Sequence, residues 1–481
     1  MTRSRRTKIV CTLGPASRSR ETIAAMIDAG MDVARLNTSH GTPDEHLALA
    51  SLVRDVAKER RRHIGVLMDL GGPKLRTGAV AAEAGQMALI GGQRIALEPE
   101  RVESTPGRIG VDYPRLCEDV GAGERVLVDD GAIALVVETV ESDALICRVT
   151  HGGTLTANRG VSLPDSKLTL PALTDRDRHY IALGVESGID FFALSFVGSA
   201  ADVNEAKSIV GFLGAETPVI AKIERRQAVD HLDEIARVSD GLMVARGDLG
   251  VELPPEAVPV QQRRIIAAAA ERLIPVITAT QMLESMTNSP RPTRAESSDV
   301  AHAVWDLSDA VMLSGETAAG RYPVESVAMM DRIVRAAEEA EPVVEPARLR
   351  PATDNHAYVV ALAARQIVEA DPNMRGVVCF TRSGYTALLL SKVHPDAEIY
   401  GLSPTEGVCR QLALARGVTP ILVPFVEHSE EMLQIVDSTL SADGMFEQGD
   451  EAVVVASLPV RAAGRTNFLK LHRVGETAGH A

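Results

Sequence analysis

Val219-Ile220-Ala221-Lys222-Ile223-Glu224 is a short apolar run that carries one lysine and stops on a carboxylate. The next such run, Gly241-Leu242-Met243-Val244-Ala245, stops on Arg246-Gly247-Asp248. After it, Val276-Ile277-Thr278-Ala279 stops on Thr280-Gln281. Runs this short and this continuously apolar read as strands buried on both faces, as in parallel sheets. Working outward, the pattern predicts eight strands, at 8–13, 33–37, 64–69, 191–196, 219–223, 241–245, 276–280 and 310–313. Amphipathic helical patterns fall between most of them, at 20–29, 44–61, 175–186, 200–211, 260–271 and 298–305. Thr174 before Asp175 and Asp177, and Pro323 before an amphipathic run, are helix-start signals. Alternating strands and helices give an α/β chain with a parallel sheet, and eight such units predict a (β/α)8 TIM barrel.

The rhythm breaks from about 77 to 160, where helical periodicity gives way to alternating apolar runs split by Gly91-Gly92, Asp129-Asp130-Gly131 and Gly152-Gly153. A structureless loop of that size would be implausible, so a small all-β domain inserted after the third strand is expected. The segment 341–346, with two prolines, reads as a linker. Beyond it, helices at 358–369 and 386–392 alternate with strands at 376–380 and 398–401, and further strands are expected at 452–456 and 468–474. The expected domains are therefore a discontinuous barrel (1–76 and 161–340), an inserted β-barrel lid (77–160) and a C-terminal α/β regulatory domain (347–481).

A chain of 481 residues is too long for a single core, which agrees with that division. Aromatics make up only 3% and the formal net charge is −15, which argues against binding to nucleic acid or to an anionic membrane. The five cysteines, Cys11, Cys117, Cys147, Cys379 and Cys409, are widely spaced and form no Cys-x-x-Cys pair, so neither a zinc site nor a disulfide framework is expected. No apolar signal region follows the basic start and no long apolar stretch is present, so the expected location is cytoplasmic.

Barrel enzymes carry their chemistry at the C-terminal ends of the strands. Here those ends read Arg35-Leu36-Asn37-Thr38-Ser39-His40, Asp69-Leu70-Gly71-Gly72-Pro73-Lys74-Leu75-Arg76, Lys222-Ile223-Glu224, Arg246-Gly247-Asp248, Thr280-Gln281 and Ser314-Gly315-Glu316-Thr317. Any one of these could be a helix cap or a solvated turn. Brought to one mouth, they need partners or ligands, because buried unpaired charge is costly. Glu224 and Asp248 on adjacent strands suit Mg2+, an oxygen-seeking ion that keeps positions for water and substrate. Lys222 is two residues before Glu224 and so faces the same side of the strand. Together with Arg35, Lys74 and Arg76 it supplies the cations that phosphoryl transfer needs to offset charge on the moving group. The backbone N–H groups at Gly247-Asp248 could receive an anion such as a carboxylate.

These segments resemble the pyruvate kinase family. The resemblance rests on 219–229 around Lys222, on 279–286, 290–296 and 313–318, on Arg159-Gly160-Val161-Ser162-Leu163-Pro164, and on Ser195-Phe196-Val197, and it extends from about Thr7 to Gly475. It implies that Glu224 and Asp248 hold Mg2+ or Mn2+, that Lys222 stabilises the phosphoryl group in flight, and that Arg35 contacts the phosphate of phosphoenolpyruvate. Gly247 and Thr280 would contact the three-carbon unit, with Ser314 in a proton relay. Arg76, Asn37 and His40 would reach the nucleotide, ADP. The inserted domain would close as a lid, and the assembly would be a homotetramer.

Asn37, Ser39, Asp69 and the residue after it match the family's monovalent-cation ligands. Here that residue is Leu70 rather than threonine, and Lys74 replaces a common glutamate. The likeness is therefore to the K+-independent branch, with the Lys74 ammonium in place of the ion, so K+ is not expected to be required. Thr381-Arg382-Ser383-Gly384-Tyr385-Thr386, between a strand and a helix, matches the family's site for phosphorylated allosteric effectors, and a plain helix cap is the alternative reading. Gly464-Arg465-Thr466-Asn467 also fits the family pattern. A barrel lyase or mutase acting on an enolate would share the carboxylate pair but needs neither lid nor nucleotide contact. A non-catalytic sensor would not need the lysine and carboxylates together.

Overall fold

The computed structural model describes residues 5–81, 85–100, 102–340, 356–426, 428–442, 444–459 and 466–476. The expected linker at 341–346 lies outside the described residues, as do Gly464 and Arg465. Eight parallel strands close a barrel in chain order: Lys8–Leu13, Val33–Asn37, Gly65–Leu70, Phe191–Leu194, Val219–Ile223, Gly241–Ala245, Val276–Ala279 and Ala310–Leu313. The last pairs with the first, Lys8 opposite Ala310 and Cys11 opposite Leu313.

Alternation along these strands builds two apolar layers. Val10, Val33, Leu67, Phe191, Ala193, Ile220, Met243, Ile277 and Met312 meet inside the barrel. Their neighbours, among them Ala34, Met68, Leu70, Phe192, Leu194, Ala221 and Leu242, face the surrounding helices. Two strands end earlier than expected. The fourth stops at Leu194 and the seventh at Ala279, because Phe196 (φ 57°), Thr280 (φ 69°) and Gln281 (φ 56°) take left-handed backbone that cannot continue a strand.

The helix starts are capped as their sequences suggest. Thr174 and Thr293 each form a reciprocal capping box, with Asp177 and Glu296 respectively. The second cap starts its helix at Arg294, earlier than the expected 298.

Between the third and fourth barrel strands the chain builds an antiparallel-dominated sheet of six strands, in the order Val161–Ser162, Arg125–Val128, Ile133–Val140, Leu145–His151, Arg94–Glu98, Arg108–Gly110. A two-strand ribbon, Gly153–Thr156 with Gln86–Leu89, flanks it. This unit has its own apolar core around Leu97, Ile109, Leu135 and Leu145. The two crossings to the barrel lie side by side, with Arg76 bridged to Gly160, Thr77 N–H donating to Arg159 O (2.8 Å) and Val161 N–H donating to Leu75 O (2.9 Å).

The last part of the chain forms a five-stranded sheet, Val418–Leu422, Glu398–Ser403, Met374–Phe380, Glu451–Ala456, Phe468–Arg473, parallel except for its final pair. It packs under the barrel floor. Leu414 joins the lumen cluster, Lys392 pairs with Asp309, and the Lys8 ammonium donates to Val418 O (2.8 Å). No helix among the described residues is long and apolar enough to cross a membrane.

Candidate active site

Strand parity places the site. Val33, Leu67, Ala193 and Ile220 point into the lumen, so Arg35, Asp69, Ser195 and Lys222, two residues further on, point the same way at the C-terminal mouth. Glu224 follows Lys222 with the same parity. The structure brings these groups together. Arg35 Nε donates to Asp69 Oδ2 (2.7 Å), and its Nη1 donates to Thr12 Oγ1 (2.8 Å). Lys222 Nζ donates to Ser195 Oγ (2.6 Å) and lies 3.3 Å from Asp69 Oδ1 and 3.2 Å from Glu224 Oε2.

All of these side chains are buried, so the charges set one another's protonation. Burial alone would depress Lys222, but Asp69, Glu224 and Asp248 outweigh it and hold the ammonium above its ordinary range. Burial would raise Asp69, but Lys222 and Arg35 pull it below the usual carboxylate range. For Glu224 burial wins. Its carboxyl is pushed up to about 6, with the nearby Asp248 charge adding to the rise and Lys222 opposing it.

Glu224 also has spare coordinating capacity. Its Oε1 accepts the Phe196 N–H (2.7 Å), while its fully buried Oε2 accepts no hydrogen bond. Among the described residues no group of three or more His, Cys, Asp or Glu side chains gathers to hold an ion. A buried carboxylate oxygen that accepts no hydrogen bond, with only the Lys222 ammonium at 3.2 Å against it and a second carboxylate nearby, fits a hard divalent cation completed by oxygens from outside the protein.

The opposite wall is the turn after the seventh strand. Thr280 Oγ1 accepts the Gly247 N–H (2.7 Å) and donates to Ala279 O (2.6 Å). Arg246 braces this turn. Its guanidinium donates to Thr280 O (2.6 Å) and Ala279 O (3.2 Å) and grips both carboxylate oxygens of Asp299 (2.8 and 2.7 Å). Ser314 N–H donates to the buried Glu316 (2.7 Å), and its Oγ is buried without a hydrogen-bond partner.

Other expected residues are more dispersed. Asn37 Oδ1 accepts the Ser39 N–H (3.1 Å), and Ser39 and His40 are exposed. Leu70 belongs to the outward layer, packed towards the helices, so its side chain does not face the mouth. A threonine at this position would likewise turn its side chain outward. Lys74 is exposed and lies against Gly160 at the crossing to the inserted sheet, with its Cε 3.1 Å from where a Cβ on Gly160 would stand. It makes no ion pair with a described residue. Arg76 donates to Asn158 O (3.0 Å) in the inserted segment.

In the C-terminal part Thr386 Oγ1 meets Thr466 Oγ1 (2.8 Å), the Arg382 guanidinium lies over the Phe425 ring, and Gly384 (φ 84°) starts the helix without a side-chain cap. Thr381 is buried, and Ser383 is exposed. A cavity of about 460 Å³ separates Ser383-Gly384-Tyr385 from Glu271 and Arg272 of the barrel, remote from the mouth.

Residues 4–327 match the pyruvate kinase barrel domain, and residues 359–472 match the pyruvate kinase alpha/beta domain. The chain belongs to the pyruvate kinase family. It is similar to pyruvate kinases of Mycobacterium intracellulare (44% identity over 98% of this chain and 99% of the relative) and Corynebacterium glutamicum (44% over 98% of each). Its fold matches the crystal structure of a pyruvate kinase from Cryptosporidium parvum with a TM-score of 0.92 at 35% identity, covering 98% of this chain and 96% of that one. Family membership makes the chain a phosphotransferase.

Sequence reasoning gave no role to Ser195, Phe196, Arg246 or Asp299. Parity would have found Ser195, which follows Ala193 on a strand already identified. Arg246 was in view beside Asp248, but its partner Asp299 lies on a separate helix and no local pattern joins them.

Proposed function

We propose that this protein transfers the phosphoryl group of phosphoenolpyruvate to ADP, giving pyruvate and ATP, as a step of glycolysis in the cytoplasm. The observation that carries the reading is the buried chain Arg35–Asp69–Lys222–Glu224 at the barrel mouth, ending on a carboxylate oxygen with no hydrogen bond. Glu224 and Asp248 would hold Mg2+ or Mn2+. Bound there, the ion would supply charge neutralisation between enolpyruvate and phosphoryl oxygens.

Lys222, kept protonated by its three acidic neighbours, would hold the phosphoryl group in flight. Arg35, fixed by Asp69, would present its remaining N–H groups to the substrate phosphate. The Gly247 N–H, now given to Thr280, would turn to the substrate carboxylate. Thr280 and Ser314 would line the face where the enolate is protonated. Arg76, Asn37 and His40 would contact ADP. The six-stranded unit, whose two crossings pair at 75–77 and 159–161, would close over the mouth and exclude water, so that transfer outcompetes hydrolysis.

Lys74 stands at that crossing, and on closure its ammonium would provide the charge that K+ provides in relatives. Turnover would then not require K+. The segment Thr381–Thr386 with Thr466 would receive a phosphorylated effector, and the chain would assemble as a homotetramer.

A coupled assay of pyruvate formation tests the reading. Pyruvate should appear only with ADP, phosphoenolpyruvate and a divalent ion, at a similar rate in potassium and tetramethylammonium salts. ADP-independent pyruvate release would reject the activity. A large K+ stimulation would reject the role given to Lys74. Adding sugar phosphates and AMP to the same assay tests the effector site.

A further inference from the structure

We propose that Phe196 is a positioning residue that carries the setting of the 71–76 loop, the path to the inserted sheet, into the metal-holding carboxylate. This rests on Glu224 being a divalent-cation ligand. Phe196 is a bulky residue at φ 57°, a backbone state that persists only where the surroundings enforce it.

Three contacts enforce it. Its N–H fixes Glu224 Oε1 at 2.7 Å, which leaves Oε2 as the oxygen turned to the mouth. The preceding residue, Ser195, receives the Lys222 ammonium at 2.6 Å, so two successive residues orient both the carboxylate and the cation. On the other side the Phe196 ring lies directly under Gly72, where an added Cβ would stand 2.5 Å from Phe196 Cδ2. Gly72 in turn opens the turn to Lys74 and is held by Asp177.

The loop that leads to the inserted sheet therefore rests on the residue that aims the carboxylate. Movement of the loop cannot leave Phe196 in place without opening a gap or a clash. Groups that orient a metal ligand through hydrogen bonds affect affinity strongly when lost.

The test is a double-mutant cycle read by direct Mn2+ titration of the substrate-free enzyme, with thermal midpoints as a folding control. In Gly72→Ala the methyl collides with the ring, and Mn2+ affinity should fall about tenfold or more. Adding Phe196→Gly removes the ring while allowing the same φ, and affinity should return to that of Phe196→Gly alone. Gly72→Ala also strains its own backbone (φ 64°), but that strain persists in the double variant. A double variant as weak as Gly72→Ala would therefore overturn the proposal, as would unchanged affinity in Gly72→Ala. Should Gly72→Ala not fold, Phe196→Gly alone should weaken Mn2+ by about threefold or more, and no change would overturn the proposal. Absence of Mn2+ binding in the unsubstituted enzyme would instead reject the reading of Glu224.

Discussion

Lys222 is the residue on which most of the site's electrostatics turns. It is buried among Asp69, Glu224 and Ser195, and its charge survives because three carboxylates outweigh the cost of desolvation. Lys222→Met keeps the length of the side chain and deletes the charge. It should lower kcat by about a hundred- to a thousandfold, the cost of losing one preorganised donor to a charged transition state. Divalent-ion binding should survive, because removing a cation beside Glu224 does not remove a ligand. Mn2+ titration checks this, and loss of binding would mean that Lys222 holds the fold of the site rather than the moving group. Arg35, Lys222 and Glu224 were legible in the sequence because a strand's parity is written in its residues. The corner at Thr280 and the bend at Phe196 were not. Both read as strand from the sequence, since β-branched and aromatic residues favour strands and nothing local announces a positive φ.

At the scale of elements, the barrel strands and most helices could be read from short apolar runs and caps, and five barrel strands have the expected ends without adjustment. What could not be read was how one element braces another. The helix Arg294–Trp305 begins at the Thr293–Glu296 capping box and carries Asp299, which grips Arg246 beside Thr280. Thr293→Ala removes the acceptor for the Glu296 N–H and should cost about 1 kcal/mol, measurable as a lower denaturant midpoint. Because the cap is distant from the reacting groups, kcat should change little. A large fall in kcat would mean that the start of this helix sets the position of Asp299. The strand Val418–Leu422 and the helix Glu406–Leu412 are short and partly exposed, so their periodic signals are weak, whereas the helix Ser429–Ala442 carries a legible stripe of Met432, Val436 and Leu440 that the sequence reading does not use.

Across the whole molecule, the C-terminal sheet completes the barrel floor through buried polar contacts. Lys392 meets Asp309 there, and Arg416 approaches His394 Nδ1 (3.4 Å) and Glu338 (3.8 Å). His394 is only partly covered at the surface, yet it titrates well below its ordinary value. Burial is the main cause, followed by repulsion from Arg416, Lys392, Arg365 and Arg6. The folded state thus binds fewer protons here than the unfolded chain does. The contribution to stability is fully present above the unfolded value, about 6.5, and is lost as pH falls below it. Stability measured by urea unfolding should therefore decline between pH 7 and pH 5. His394→Asn, which tolerates the positive φ at this position, should flatten that decline. An unchanged slope would assign the pH dependence to other groups.

The paired crossings at Arg76 and Gly160 have a further consequence. Because the segment leaves and re-enters at adjacent points, the eight-stranded ring does not depend on it for continuity. In engineering terms it is a cassette, and a short turn joining the two points would leave the ring's strand order unbroken. The barrel can therefore lose or exchange this insert without relearning how to fold, provided that whatever replaces it still seats Gly72 on the Phe196 ring.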